Sequence, residues 1–227
     1  RQVVTTVAKA AGALIFELGH EFEVAMVPGD TEWGERFNLS GTVTQQNVFV
    51  DLMGDYQIEN AAVAIQAATL AARLLGRELT PEMVETALAI VTWPVRFERV
   101  SNTPLTVLDG AHNQHGVDAL AATLARRFKQ RTVHILFGAL ADKAYPEMLH
   151  TLADLPNVDL HVVGFQNPGS RTVLDPTEAA AQVTGHTVTV HQDWQTAYQT
   201  VKALAKQNDM ILFTGSLYFV SEVRANL

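Results

Sequence analysis

Cysteine is absent from this 227-residue chain, which excludes disulfides and any chemistry that needs a thiolate nucleophile or thiolate metal ligand. That fits a reducing compartment, and the cytoplasm is the expected location. Basic stripes are missing too. Sixteen Lys and Arg stand against 24 Asp and Glu, for a formal charge of −8. Neither a nucleic acid nor an anionic membrane surface is therefore an expected partner, although a small anionic substrate needs only a few local cations. Long apolar runs are also lacking. The longest such stretch, Asn60 to Leu75, is Ala-rich and interrupted by Gln66 and Arg73, so it reads as a helix of a globular core rather than a membrane span. No signal peptide is evident. Finally, there is no Gly-Lys dipeptide, and hence no Gly-x-x-x-x-Gly-Lys-Ser/Thr phosphate loop. The chain opens at Arg1 directly into a helical pattern, Gln2 to Ala11, which leads us to expect a piece of a longer protein.

What is present is ample apolar material, 48% of residues, enough for one large or two ordinary domains. Up to about residue 92, short strand-like runs (Ala13 to Phe16, Glu21 to Val27, Glu35 to Leu39, Val43 to Leu52) are punctuated by Pro28-Gly29-Asp30 and Ser40-Gly41. A long helix from Gln57 to about Leu75 follows, and Thr80-Pro81 then caps another, Glu82 to Val91. From Trp93-Pro94 onward the pattern changes. Apolar strands (Thr106 to Leu108, Val133 to Phe137, Leu160 to Val163, Thr187 to Val190, Met210 to Phe213) alternate with helices (Val117 to Phe128, Tyr145 to Leu155, Thr177 to Val183, Trp194 to Lys206, Tyr218 to Asn226). This alternation predicts an α/β domain, a Rossmann-like and mostly parallel sheet over residues 93–227, preceded by a separate unit over 1–92.

In an open parallel sheet, ligands bind outside the carboxyl ends of the strands. Three polar segments stand there. Asp109-Gly110-Ala111-His112-Asn113 offers an acid, an imidazole and an amide around a glycine turn. Gly138 to Lys143 offers an ammonium, and Thr214-Gly215-Ser216 a hydroxyl and amides at a helix start. Taken singly, the first has about even odds of being a plain turn, Asp142-Lys143 a solvated pair, and Ser216 an N-cap. Their combination on one sheet edge points to a site. Two further segments stand apart. Asn60 opens the Ala-rich helix on the same face as Gln57 and carries an amide able to read a base edge. Arg96, in Trp93-Pro94-Val95-Arg96-Phe97-Glu98, either binds phosphate or pairs with Glu98. Of the eight histidines, only His112 and His115 stand close together. The others (His20, His134, His150, His161, His186, His191) are scattered without metal-ligand spacing, so no metal site is expected in this chain.

In this order, Pro-x-Arg-Phe-Glu, Asp-Gly-Ala-His-Asn, Asp-Lys and Thr-Gly-Ser-Leu-Tyr resemble the folylpolyglutamate synthase and dihydrofolate synthase family, within the Mur ligase superfamily. The resemblance spans about Gly54 to Tyr218. Mur ligases proper usually carry Tyr and Pro where this chain has Gly110 and Gln114, which favours the folate branch. Two departures from that branch are Tyr56, where His is common, and Val95, where Gly is common before the Arg.

The resemblance implies an ATP-dependent ligase that joins L-glutamate to folate or dihydropteroate through an acyl phosphate, with ATP and Mg²⁺. Residues 1–92 would then be the end of a P-loop ATPase-type domain. Asn60 would contact adenine, Arg96 the terminal phosphate and Asp109 the ribose or phosphate region. Arg96, Asp109 and His112 would be catalytic, and His112, Lys143 and Ser216 would hold glutamate. An acyl phosphate concentrates negative charge next to an amine that must be held close, so cations and an imidazole suit it. The phosphate loop and the Mg²⁺ ligands would lie in an N-terminal part of the same enzyme, and the 227 residues alone would be inactive. A monomer is expected. Two alternatives are a noncatalytic nucleotide- or amino-acid-binding module and a fragment of a Mur-type peptidoglycan ligase.

Overall fold

The structure, a computed structural model, describes residues 1–29, 32–166 and 169–227, so the Pro28-Gly29-Asp30 turn runs onto a position outside the described residues. The chain divides into two compact units, Arg1–Val91 and Thr92–Leu227. The first begins with α1 (Gln2–Ala10) and contains an antiparallel sheet of β1 (Phe22–Met26), β2 (Glu35–Gly41) and β3 (Gln45–Val50), in that order. Helices α2 (Asp55–Leu74) and α3 (Pro81–Ala89) follow. Alternation along β2 turns Phe37 and Leu39 inward, where they join Val48, Val50, Ile58, Ala61, Ala62 and Ile65 in one apolar core. Pro81 stands at the start of α3, and the Thr80 hydroxyl accepts from Met83 N.

The expected strand at Ala13 to Phe16 is not formed. Ala13 N–H instead donates back to Ala8 O at 2.9 Å, closing α1, and Leu14 is left exposed with no strand to pair with.

The second unit is a six-stranded sheet in the order β4-β5-β9-β6-β7-β8. Its strands are β4 (Glu98–Asn102), β5 (Leu105–Leu108), β6 (Val133–Phe137), β7 (Val158–Val163), β8 (Val188–His191) and β9 (Met210–Thr214). The pairs from β5 to β8 are all parallel, while β4 runs antiparallel to β5 at the edge. The helices between strands are α4 (Gln114–Arg127), α5 (Tyr145–Ala153), α6 (Pro176–Ala181) and α7 (Trp194–Leu204), and α8 (Leu217–Asn226) follows β9. β5, β6 and β9 are buried along their whole length, so they read as continuous apolar runs rather than alternating ones.

On one face Leu108, Leu136, Val163, Ile211 and Phe213 pack against α7 and α8. Phe213 meets Trp194 edge-on at 6.1 Å, Tyr198 at 5.4 Å and Phe219 at 6.1 Å. Each such pair contributes about 0.5–1.5 kcal/mol beyond area burial. The result is a rigid anchor immediately before Thr214-Gly215-Ser216. No described helix is long and apolar enough to cross a membrane.

Candidate functional site

The strand order places β9 between β5 and β6, so the loops leaving these three carboxyl ends are neighbours although they lie far apart in sequence. Backbone hydrogen bonds join them: Asp109 N–H to Phe213 O at 2.9 Å, Gly215 N–H to Ala111 O at 3.0 Å and Gly138 N–H to Thr214 O at 3.1 Å. Glycine is required by the close approach. A Cβ on Gly110 would meet Leu217 Cδ2 at 2.5 Å and Val95 O at 3.1 Å. One on Gly215, at φ +111°, would meet Gly138 O at 2.7 Å.

Asp109 organises the edge from within. It is only 4% exposed. One carboxylate oxygen accepts Ala111 N–H and the other Phe97 N–H, both at 2.9 Å. Burial pushes its carboxyl above the usual range, opposed by the two amides and by the nearby Arg96 and His112. The Phe97 bond ties the segment carrying Arg96 to this loop, and Gly110 N–H to Val95 O, at 2.7 Å, ties it a second time.

The backbone around Arg96 is unusual. Val95 has φ +55° and Phe97 φ +48°, in the left-handed region that a β-branched or bulky side chain rarely adopts. Val95 stands where Gly is common in the family it resembles, so the backbone keeps the turn that Gly would permit. The turn is held by Val95 N–H donating to Glu98 Oε2 at 2.8 Å and by Phe97 stacking on Phe128 with ring centres 5.5 Å apart. Glu98 is further occupied by Arg224, whose Nε donates to Oε2 at 2.9 Å. The possible Arg96–Glu98 pair is thus replaced by Arg224–Glu98. Arg96 is exposed, and its guanidinium has no hydrogen-bond or ion-pair partner among the described residues.

His112 is half-buried. Its Nδ1–H donates to Gly110 O at 2.8 Å, which fixes the ring and leaves Nε2 facing away from that bond. Asn113 caps α4, its Oδ1 accepting Gly116 N–H at 2.8 Å. Ser216 is buried and caps α8, its Oγ accepting Tyr218 N–H at 3.2 Å. That capping is the plain role the sequence allowed it.

Asp142 does not pair with Lys143. Arg171, a residue sequence reasoning passed over, takes both its carboxylate oxygens, through Nε at 3.1 Å and Nη2 at 2.6 Å. This holds the Asp142 carboxyl below its usual range. Ala141 N–H to Thr172 O at 2.9 Å and Leu174 N–H to Ala139 O at 3.1 Å brace the same loop. The Lys143 ammonium is left with no ion-pair or hydrogen-bond partner among the described residues. The only sequence hint of Arg171 was an arginine in the loop after the neighbouring strand.

Asn60 belongs to the first unit. Its Nδ2 donates to the buried Gln57 Oε1 at 3.1 Å, as i, i+3 neighbours can, so the amide at the start of α2 is pre-oriented.

The second unit is thus an open α/β sheet whose carboxyl edge carries hydrogen-bonded polar loops, the edge at which such sheets generally bind ligands. Residues 95–217, more than half of the chain, match the family described as Mur ligase, glutamate ligase domain, and the chain belongs to that family. It is 37% identical over 203 residues to the folylpolyglutamate synthase of Lacticaseibacillus casei, covering 86% of this chain and 44% of that protein. It is 31% identical to the dihydrofolate synthase/folylpolyglutamate synthase of Bacillus subtilis, with the same 86% and 44% coverage. Its fold is similar to that of Mycobacterium tuberculosis folylpolyglutamate synthase complexed with ADP, with a TM-score of 0.83 at 25% identity, over 99% of this chain and 52% of that one. The chain therefore spans about half the length of the relatives it matches.

Proposed function

We propose that this chain supplies the phosphate- and glutamate-binding edge of an ATP-dependent ligase that extends folate, or dihydropteroate, with L-glutamate through an acyl phosphate. The observation that carries this reading is Arg96: a guanidinium with no hydrogen-bond or ion-pair partner among the described residues, on a strained turn pinned to the loop of Asp109 and His112. A folded chain holds such a turn only where its surroundings over-determine it, as they do at ligand sites. Arg96 would meet the transferring phosphate, and Asp109 would act through the backbone it holds rather than by touching nucleotide. That role differs from the ribose or phosphate contact implied by the resemblance.

Lys143 and Ser216 would bind glutamate carboxylates, and His112 Nε2 would lie near the amine that attacks. Asn60 would read the adenine. The residues at this edge do not form a Mg²⁺ ligand set among the described residues, because Asp109 is engaged by two amides and Asp142 by Arg171. We therefore assign no step to that ion here. The cytoplasm and a single copy of the chain remain the proposed setting.

The test is ADP release by the complete enzyme, supplied with L-glutamate and either a pteroate or folate acceptor or a UDP-muramoyl peptide acceptor. Turnover is expected only with the pteridine acceptors. Turnover only with the muramoyl acceptor would move the chain to the peptidoglycan branch, and nucleotide binding without turnover on either would make it a binding module. The 227 residues alone, which contain no phosphate loop, are expected to release no ADP.

A further inference from the structure

Histidines that looked scattered in sequence are gathered by the register of the second sheet. β6 pairs with β7 so that His134 is opposite Asp159 and Leu136 opposite His161. Side chains two apart on a strand share a face, so His134, Asp159 and His161 project together. β7 pairs with β8 so that His161 is opposite Thr189, which brings His191 to the same face. Asp209, just before β9, completes the group.

Asp159 Oδ2 lies 2.9 Å from His134 Nδ1 and 3.1 Å from His161 Nε2. These three ligand atoms all fall within 4.8 Å of one another. The remaining ring nitrogens are also engaged, His134 Nε2 with Asp209 Oδ2 at 3.5 Å and His161 Nδ1 with His191 Nε2 at 3.1 Å.

We propose that His134 Nδ1, Asp159 Oδ2 and His161 Nε2 form a binding site for a divalent transition metal of the zinc class, with solvent completing the coordination. This departs from the expectation, drawn from spacing alone, that the chain holds no metal site. Donor atoms around a tetrahedral ion with bonds of about 2.0–2.1 Å lie about 3.3 Å apart, so the two Asp159 contacts need to open by only a few tenths of an ångström, while the two ring nitrogens, within 4.8 Å of each other, would close to that spacing around the ion. The outer contacts match what such ligands need. With the metal on His161 Nε2, Nδ1–H donates to His191 Nε2, and with the metal on His134 Nδ1, Nε2–H faces the Asp209 carboxylate.

Without a metal, His134 keeps a carboxylate oxygen within reach of each ring nitrogen. His134 and His161 are both buried, while the Asp159 side chain is 47% exposed and offers the entry route. Mixed imidazole and carboxylate donors select zinc, cobalt, nickel or copper over magnesium. The ion would tie β6 to β7 directly, and β8 and β9 through His191 and Asp209.

The test is titration of ZnCl₂ into the EDTA-stripped full chain against a chromophoric chelator, with Co²⁺ absorption as a second readout. We expect one saturable site, insensitive to excess Mg²⁺, with a four-coordinate Co²⁺ spectrum and a thermal midpoint raised by Zn²⁺. Asp159→Asn and His161→Gln should each weaken binding at least about tenfold and abolish the Co²⁺ spectrum, whereas His186→Gln should leave both unchanged. Asp159 is at the surface, so its variant should fold normally by circular dichroism even if the buried His161→Gln does not. No saturable binding by the wild-type chain, or undiminished binding by folded Asp159→Asn, would overturn the proposal. Neither result bears on the ligase reading.

Discussion

Toward the carboxyl ends of β5, β9 and β6, polar side chains are arranged around backbone groups and leave cations over, whereas on β6 and β7 the histidines and Asp159 are arranged around one another. At the first place Asp109 gives both oxygens to amides and Glu98 is shared by Arg224 and an amide, so Arg96 and Lys143 make no ion pair or side-chain hydrogen bond among the described residues. At the second, every imidazole nitrogen from His134 to His161 has a partner within 3.5 Å. A cation left unpaired beside a rigid, hydrogen-bonded loop needs an anion from outside. A chain of imidazoles and carboxylates bonded to one another has room for at most a small cation. On the two proposals above, the two regions of one sheet would take ligands of opposite charge.

The comparison breaks most sharply at Arg96. If Arg96 meets a phosphate whose charge develops during transfer, Arg96→Ala should lower the turnover of the complete enzyme by about a hundred- to a thousandfold, with a much smaller change in the folate KM. Steady-state kinetics would show this, and wild-type turnover would reduce Arg96 to a surface residue.

Asp109 should matter to both stability and rate. Asp109→Ala leaves Phe97 N–H and Ala111 N–H buried without acceptors, at a cost of about 1–3 kcal/mol each. Urea unfolding of the chain should register that loss, with Asp109→Asn intermediate because it keeps one acceptor oxygen. A variant as stable as wild type would mean that the Arg96 turn does not depend on this carboxylate.

The smallest effect belongs to Glu98. Burial raises its carboxyl, but Arg224 and the Val95 amide outweigh burial and hold it below the ordinary range. For an acid depressed in the folded state, the added stability is complete above the unfolded value of about 4.3 and is lost as pH falls through the folded value. Glu98→Gln should therefore be less stable than wild type near neutral pH, and the difference should close on acidification. A gap that is constant down to low pH would contradict the ionic account of this clamp.

Much of the second unit was legible because buried parallel strands are mostly apolar runs: residues 133–137, apolar but for His134, were delimited as the structure has them, and others shifted by one or two positions. β4 was missed for the converse reason. As an edge strand, Glu-Arg-Val-Ser-Asn is mostly exposed and bulged between Arg99 and Ser101, so it carries no apolar period. The polar loops at 109–113, 138–143 and 214–216 stood out as glycine-bearing turns after apolar runs. That β9 lies between β5 and β6, making them neighbours, depends on long-range pairing that no local pattern encodes. Arg171 was hidden for the same reason, since its partner Asp142 is on another loop. The histidine cluster depends on register between strands 25 residues apart, His134 to Asp159, where ligand-spacing rules within one segment have nothing to read.

The claim that the carboxyl edge separates amino-acid from nucleotide recognition rests most directly on Lys143, so glutamate and ATP saturation curves should be compared for the complete enzyme and its Lys143→Ala variant. Losing a charge-assisted hydrogen bond of about 1.5–3 kcal/mol should raise the glutamate KM by about ten- to a hundredfold while the ATP KM barely moves. A variant with the wild-type glutamate KM, or one in which both constants rise together, would contradict the account.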